Sequence, residues 1–219
     1  MGVFDIVGPI MIGPSSSHTA GAARLGKLAR TILGEEPAAA TIILYGSFAR
    51  TYRGHGTDKA LIGGLLNYAA DNPLIKQSYN LAQEAGIAIV FQPSDREVAH
   101  PNTVEFQLRG KSGKTSVITG MSIGGGQIIV SQIDGFPVEL TGDYPSLITI
   151  HMDTPGVIAN VTHTLAEAGI NIAQMKVSRQ LRGADALMIL ETDQAIPTPV
   201  IDVIRAMTAI KIAMAIPPL

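Results

Sequence analysis

The chain has 219 residues, of which 46% are hydrophobic and 16% are charged, so its composition is that of a globular protein and excludes a long disordered tail. Its formal net charge of -2, without a basic run, excludes the positive surface with which proteins bind nucleic acids or membranes. It contains no cysteine, which excludes disulfides, thiol nucleophiles and any metal site whose thiolate ligands this chain would supply.

The N-terminal stretch MGVFDIVGPI lacks the basic segment of a signal peptide. No apolar run in the chain reaches the roughly 18 residues that cross a bilayer. The sequence therefore predicts a cytoplasmic protein. Any iron-sulfur cluster that its function required would have to be held by a partner.

The first polar segment is GPSSSHTAG, residues 13–21. Apolar residues at helical spacing predict a helix over residues 19–33, with Ser16 or Ser17 as its N-cap. A helix N-terminus has unpaired N–H groups and a partial positive charge, so the hydroxyl side chains of this segment can help to bind a carboxylate or phosphate. These residues are Ser15, Ser16, Ser17 and Thr19. His18 can transfer a proton near neutral pH, although a capped helix with a surface histidine is the alternative.

A second histidine follows a short strand predicted over residues 41–45. Residues 46–58 are predicted to form a turn region that ends in RGHGTD. His55 lies there between two glycines, which allow the backbone to present its imidazole, and Thr57 or Asp58 is a possible orienting partner. The alternative is a glycine-rich turn in which Thr57 caps the next helix.

The rest of this block is predicted to mix helices and strands. Helices are expected over residues 57–68 and from the Asn72-Pro73 cap to Gly86, followed by strands over residues 87–91, 103–109, 115–119 and 127–132. His100 and Asn102 lie in the polar turn HPNT before the second of these strands, where Asn102 either contacts a ligand or satisfies its own backbone.

From residue 146 a self-contained pattern predicts the order βαββαβ of a ferredoxin-like fold. Thr154 is expected to cap and Pro155 to open the first helix, which stops at Gly169. The other elements are strands over residues 146–152, 171–180, 184–192 and 210–215, and a second helix from Pro197.

The turns of this second block resemble those of the ACT family of small-molecule regulatory domains. Asp153-Thr154-Pro155-Gly156-Val157 follows the first strand, and Gly169-Ile170-Asn171-Ile172 follows the first helix. The resemblance implies amino-acid binding and homo-association of the domains, sheet to sheet. The binding positions that it implies are Asp153, Gly156, Val157 and Asn171. The alternatives are that Asp153 only caps the helix and that the domain only dimerises.

Over nearly the whole chain, the sequence resembles the β chain of the iron-sulfur-dependent L-serine dehydratases. The resemblance rests on GPSSSHTAG, LYGSFARTYRGHGTDKALIGGLL, HPNT and SIGGG in the same order, followed by the ACT-like block. It implies an α+β protein. A mixed α/β domain over residues 1–143 would be similar to the allosteric substrate-binding domain of some phosphoglycerate dehydrogenases, and a ferredoxin-like ACT domain would occupy residues 146–219.

The resemblance also implies an activity. An α chain would carry a [4Fe-4S] cluster, this chain would hold no metal, and the pair would convert L-serine to pyruvate and ammonia in serine degradation or gluconeogenesis. An open iron of the partner's cluster would act as a Lewis acid while a base removes the α-proton. His18 and His55 are the candidates for proton transfer or for orienting the substrate, without a choice between them. Residues expected to contact substrate are Ser15, Ser16, Ser17, Thr19, Thr57, Asp58, His100 and Asn102.

Two other functions remain open at this level. A non-catalytic regulatory subunit would bind small ligands in both blocks and leave all chemistry to its partner, since fold alone does not decide function. A free-standing amino-acid sensor would need no partner. The serine-rich lead-in to His18 favours the catalytic hypothesis.

Overall fold

The computed structural model describes residues 10–219, which fall into two compact units. The first unit ends at Asp134 and the second spans Gly135–Leu219. Among the described helices, none is long and apolar enough to cross a membrane. The α+β class predicted from the sequence is confirmed, because both units combine helices with a sheet.

In the first unit, helices pack against a mixed β-sheet. Its helices are a π-helix (Ser16–Gly21) that continues into α1 (Ala22–Leu33), then α2 (Gly46–His55), α3 (Thr57–Leu65), a 3-10 turn (Pro73–Gln77) and α4 (Ser78–Glu84). Its strands are β1 (Pro37–Tyr45), β2 (Ala88–Ser94), β3 (Thr103–Gly110), β4 (Thr115–Gly124) and β5 (Gln127–Ile133). The strands are ordered β2-β1-β3-β4-β5, with β1 parallel to β2 and antiparallel to β3.

Helix α1 lies in the core of this unit. The apolar positions that predicted this helix are buried, among them Leu25, Ala29 and Ile32. The backbones of α1 and α3 are in direct contact. A Cβ atom on Gly64 of α3 would lie 2.1 Å from the carbonyl oxygen of Ala23 in α1. Glycine is therefore required at that crossing because any side chain would push the two helices apart.

Two local predictions for this unit are wrong. Residues 46–58 are not a turn region: α2 extends from Gly46 to His55, and only Gly56, with φ of 69°, separates it from α3. The glycines that indicated a turn lie at the ends of a helix. The N-cap before α1 is Ser15 rather than Ser16 or Ser17, because the Ser15 hydroxyl accepts the His18 amide hydrogen.

The second unit has the predicted βαββαβ order, preceded by a strand that the sequence did not indicate. Its elements are β6 (Phe136–Leu140), β7 (Ser146–Met152), α5 (Val157–Glu167), β8 (Ile172–Arg179), β9 (Asp185–Thr192), α6 (Thr198–Arg205) and β10 (Ile210–Ile216). The last four strands form an antiparallel sheet in the order β10-β7-β9-β8. The expected cap and opening of its first helix are wrong: Thr154 and Pro155 precede α5, and Gly156 is the N-cap.

We expect Gly64→Ala to destabilise the protein by about 1–3 kcal/mol, because its methyl group meets the backbone of α1. Gly54→Ala is the matched control: Gly54 lies in α2 with nothing within 4 Å of its Cβ position, so this change should be neutral or stabilising by up to about 1 kcal/mol. Urea unfolding followed by circular dichroism measures both. Equal stabilities for the two variants would contradict the close helix contact.

Candidate functional site

Polar segments that are far apart in the sequence meet at one end of the first sheet. The strand register places Leu44 of β1 opposite Val104 of β3, and Thr103 of β3 opposite Met121 of β4. The segment after β1, the HPNT turn before β3 and the SIGGG segment at the end of β4 therefore lie side by side. The π-helix packs against the same end of β4.

A continuous set of contacts links these segments. The Pro101 carbonyl accepts hydrogen bonds from the amides of Ser47, at 2.7 Å, and Phe48, at 3.3 Å, and so fixes the start of α2. The Ser122 amide donates to the Asn102 carbonyl at 3.0 Å, and the Asn102 side-chain amide donates to the Ser122 carbonyl at 3.4 Å. A Cβ atom on Gly21 would lie 2.0 Å from Ser122 Oγ, so the π-helix backbone directly contacts this strand.

The π-helix places the side chains of His18 and Thr19 in the interior of the first unit. A π-helix accommodates an extra residue per turn. It occurs mostly as a single turn, and such turns are frequent at functional sites. Its N-terminus is held by Ser15, whose carbonyl accepts the Thr19 amide hydrogen at 2.8 Å. His18 and Thr19 are buried, whereas Ser16 and Ser17 are half-buried. The alternative of a surface histidine at position 18 is therefore wrong.

The His18 imidazole is held on both sides by hydroxyl groups. Its Nδ1 lies 3.4 Å from Ser15 Oγ and its Nε2 lies 3.3 Å from Ser47 Oγ. Because the Ser15 oxygen already accepts the His18 amide hydrogen, we assign the Ser15 hydroxyl hydrogen to Nδ1 and the ring hydrogen to Nε2. The edge of Phe48 packs against the ring, with 5.2 Å between centroids.

The electrostatic environment keeps His18 neutral. Burial, and secondly the nearby His55, lower the pKa of His18 below its ordinary value of 6.5. The two imidazoles are perpendicular, with 4.7 Å between their centroids. A neutral imidazole at pH 7 can accept a proton, so this pair is suited to proton transfer.

Helix α2 carries His55 and Ser47 to His18. Ser47, Thr51 and His55 follow one another at intervals of four residues, so they lie along one face of the helix. Ser47 at its start contacts the His18 ring, and His55 at its end is exposed beside the same ring. The structure thus brings the two predicted histidines together.

Thr57 and Asp58 lie close in sequence to His55 but have other surroundings. The hydrogen bonds of Asp58 in the described residues are made with the Tyr79 hydroxyl, at 2.9 Å, and the Lys59 amide, at 2.8 Å. Burial and the Asp58 carboxylate raise the pKa of Tyr79. Asp58 therefore joins α3 to α4, while the Thr57 hydroxyl is buried without a hydrogen-bond partner in residues 10–219.

The HPNT turn is fixed by its own side chains. His100 Nδ1 accepts the Asn102 amide hydrogen at 3.2 Å, and the Thr103 hydroxyl donates to the His100 carbonyl at 2.6 Å. The Asn102 side chain does not bind its own turn; it reaches the neighbouring strand at Ser122. Its Oδ1 atom has no hydrogen-bond partner among the described residues.

Several buried oxygen atoms around this site have no hydrogen-bond partner in residues 10–219. Three of them belong to the converging segments: Thr19 Oγ1, Asn102 Oδ1 and Ser122 Oγ. Leaving a buried polar atom unpaired costs about 1–3 kcal/mol, so such atoms in folded proteins generally bind a water or a ligand. They are candidates for groups that face a small polar ligand.

Two residues of this site, Ser47 and Ser122, were not among those predicted from the sequence. Both lie inside segments on which the family resemblance rests, LYGSFARTYRGHGTDKALIGGLL and SIGGG. Ser47 lies in the region that was predicted to be a turn, and the sequence indicated no role for Ser122. A helical assignment of residues 46–55 would have placed Ser47 on the same face as His55 and indicated its role.

In the second unit, the predicted ligand residues occupy two ends of the sheet. Met152, at the end of β7, lies opposite Asp185, and Arg179, at the end of β8, lies opposite the adjacent Ala186. The loop with Asp153, Gly156 and Val157 therefore adjoins the end of β8. Asn171 precedes the start of β8, about 25 Å away along the strand. One chain does not bring these four residues into a single site.

Asp153 and Asn171, the two polar residues among the predicted ligand positions, already form hydrogen bonds within the second unit. The Asp153 carboxylate accepts hydrogen bonds from the Gly183 amide, at 3.1 Å, and from Arg179, at 2.7 Å, and these two groups lower the pKa of Asp153. The Asn171 side chain donates to Asp193 at 2.7 Å. Gly156, with φ of 92°, leaves the backbone of its loop open to a ligand.

Neither the sequence nor the described residues 10–219 show ligands for an iron-sulfur cluster. Its sequence contains no cysteine. In the part of the chain that the structure describes, no group of three His, Asp or Glu side chains could hold a metal ion. These residues lack the thiolate ligands of an iron-sulfur cluster, which the family resemblance implies for the α chain.

Comparison with known proteins gives matches to both units. Residues 2–84 match the family described as serine dehydratase beta chain, and residues 146–208 match the ACT domain. The chain is 46% identical to the probable L-serine dehydratase, beta chain, of Bacillus subtilis (strain 168), over 91% of this chain and 90% of that protein. It is 35% identical to the L-serine dehydratase, beta chain, of Peptoniphilus asaccharolyticus, over 87% and 86% of the two chains. A D-3-phosphoglycerate dehydrogenase of Synechocystis sp. is 27% identical over 88% of this chain and 35% of that enzyme.

The perpendicular contact of the two histidines predicts that His55 influences the titration of His18. Nuclear magnetic resonance should show His18 titrating below pH 6.5, and His55→Gln should raise its pKa only in part, because burial is the larger cause. Since the folded state favours the neutral ring, the stability gained from it is present above about pH 6.5 and decreases as the pH falls below that value. An unchanged His18 titration in His55→Gln would contradict this contact.

Proposed function

Because the chain belongs to the family of L-serine dehydratase β chains, we propose that it pairs with an α chain to convert L-serine to pyruvate and ammonia. The observation that carries the proposal is the meeting of GPSSSHTAG, the α2 segment, HPNT and SIGGG around His18. The division into a dehydratase domain over residues 1–143 and an ACT domain over residues 146–219 is part of it. The cytoplasmic location stays a prediction.

The absence of cysteine supports placing the [4Fe-4S] cluster on the α chain. Thiolates are the usual ligands of such clusters, so the partner would hold it and this chain would complete the site around the substrate. The names of the Bacillus subtilis and Peptoniphilus asaccharolyticus relatives, which are both beta chains, support a second chain as well. On this proposal neither chain is active alone.

The overall reaction is an elimination followed by a hydrolysis. Removal of the α-proton and loss of the β-hydroxyl as water convert serine to 2-aminoacrylate. This enamine tautomerises to an imine, which water hydrolyses to pyruvate and ammonia without further help from the protein. The protein therefore has to hold serine, accept the α-proton and return a proton to the departing hydroxyl.

The residues of this chain can be assigned to these tasks. His55 is exposed, and its ring nitrogens have no hydrogen-bond partner among residues 10–219, so we assign to it the removal of the α-proton. His18, held between Ser15 and Ser47, stays neutral and keeps the His55 ring in place through their perpendicular contact. The predicted substrate-contacting residues are Ser15, Ser16, Ser17, Thr19, Thr57, Asp58, His100 and Asn102, to which the unpaired Ser122 hydroxyl is added.

The test is anaerobic reconstitution of the chain with a cluster-bearing α chain, following pyruvate formed from L-serine. Turnover should require both chains, and His18→Gln and His55→Gln should each lower kcat by about 10²- to 10⁴-fold while the two chains still assemble. His163→Gln, which removes an exposed histidine of α5, is the matched control and should leave turnover unchanged. Full turnover by the α chain alone would overturn the catalytic proposal and favour a regulatory subunit.

We also propose that the ACT unit binds L-serine between two copies of the chain. Asp153 and Asn171 lie at opposite ends of one sheet, so two copies related by a twofold axis would bring the Gly156 loop of one chain to Asn171 of the other. The homo-association implied by the family resemblance supports this arrangement. Regulation of the enzyme by serine would follow from it.

Mixing two variants tests the shared site. Asp153→Ala and Asn171→Ala should each lose L-serine binding in this unit, measured by calorimetry. A mixture that exchanges subunits should regain about a quarter of the sites, because half of its dimers carry one intact site. No recovery in the mixture, with both variants folded and dimeric, would place the site within one chain and contradict the proposal.

A further inference from the structure

A cleft of about 510 Å³ opens beside His55 in the first unit. Three basic side chains from three different elements line it: Arg53 of α2, Lys59 of α3 and Lys76 of the 3-10 turn. His55 lies among them. Its apolar lining includes Ile12, Pro14 and Ile75.

Among residues 10–219, no carboxylate near this cleft balances its positive charge. None of its described lining residues is acidic. Asp58, the carboxylate next to Lys59 in the sequence, is buried and bonded to the Tyr79 hydroxyl instead of lining the cleft. Within residues 10–219 the three basic side chains form no ion pair; Arg53 only lies over the ring of Tyr52, at 5.5 Å. In a chain of net charge -2, this is a local excess of positive charge that attracts an anion.

The charges of the reaction components decide which anion fits. Near neutral pH, L-serine carries an ammonium group as well as a carboxylate, and the three cations repel its ammonium. Pyruvate has lost that group and carries a net charge of -1, while its methyl group suits the apolar side of the cleft. The product is therefore favoured over the substrate at this position.

We propose that this cleft binds pyruvate as it leaves the active site, with its carboxylate held by Arg53, Lys59 and Lys76 beside His55. The identity of the ligand rests on the proposed function; the affinity for a small carboxylate does not. Occupancy of the cleft blocks the exposed side of His55 and makes pyruvate an inhibitor of its own formation. Ammonia, which leaves as a cation near neutral pH, is not retained.

Binding is tested on the chain alone, so that failure of the catalytic proposal leaves the test valid. Sodium pyruvate should shift the His55 resonances, identified by their loss in His55→Gln, at concentrations where L-serine and sodium chloride of equal ionic strength do not. Raising the ionic strength should weaken the effect. An equal response to sodium chloride, or none to pyruvate, would overturn the proposal.

The functional consequence is tested in the reconstituted enzyme. Lys59→Gln and Lys76→Gln should each raise the inhibition constant for pyruvate by roughly two- to five-fold, and the triple variant with Arg53→Gln by more. Arg109→Gln, which removes an exposed arginine of β3 outside the cleft, is the matched control and should leave inhibition unchanged. Inhibition that is the same in the triple variant and the control would overturn the product site, even in an enzyme with full turnover.

Discussion

The arrangement of the first unit depends on the Pro101 carbonyl, which accepts two amide hydrogens at the start of α2. A helix begins with unpaired N–H groups, and this carbonyl satisfies two of them while joining α2 to the HPNT turn. The position of α2 then determines where Ser47 and His55 lie, because both belong to one face of the same helix. His18, which belongs to the π-helix, contacts both Ser47 and His55.

The same packing favours the neutral form of His18. His18 contacts Phe48, two serine hydroxyls and a second imidazole, so both burial and the neighbouring ring disfavour its charged form. A neutral, firmly held ring can support proton transfer without accepting a permanent charge. The cationic cleft on the outer side of His55 has a different character, since it is open and its charges are exposed. The histidine pair thus lies between a group of buried polar atoms and a positively charged cleft.

The two units differ in where their predicted ligand residues lie on the sheet. The first unit gathers its polar residues at one end of a sheet, so a single chain can present them to a substrate. The second unit distributes its predicted ligand residues over both ends of a four-stranded sheet. In the proposed twofold arrangement, association with another copy would complete the site and connect ligand binding with assembly.

The sequence by itself determined the α+β class, the βαββαβ order of the second unit and the segments that carry the site, because hydrophobic periodicity and short motifs are local properties. It could not give β6 or the helix from Gly46 to His55, whose flanking glycines are typical of a turn. Nor could it show that Asp58 binds Tyr79 or that Ser47 contacts His18. Those contacts join residues 21 and 29 positions apart, so only the packing of helices on the sheet decided them.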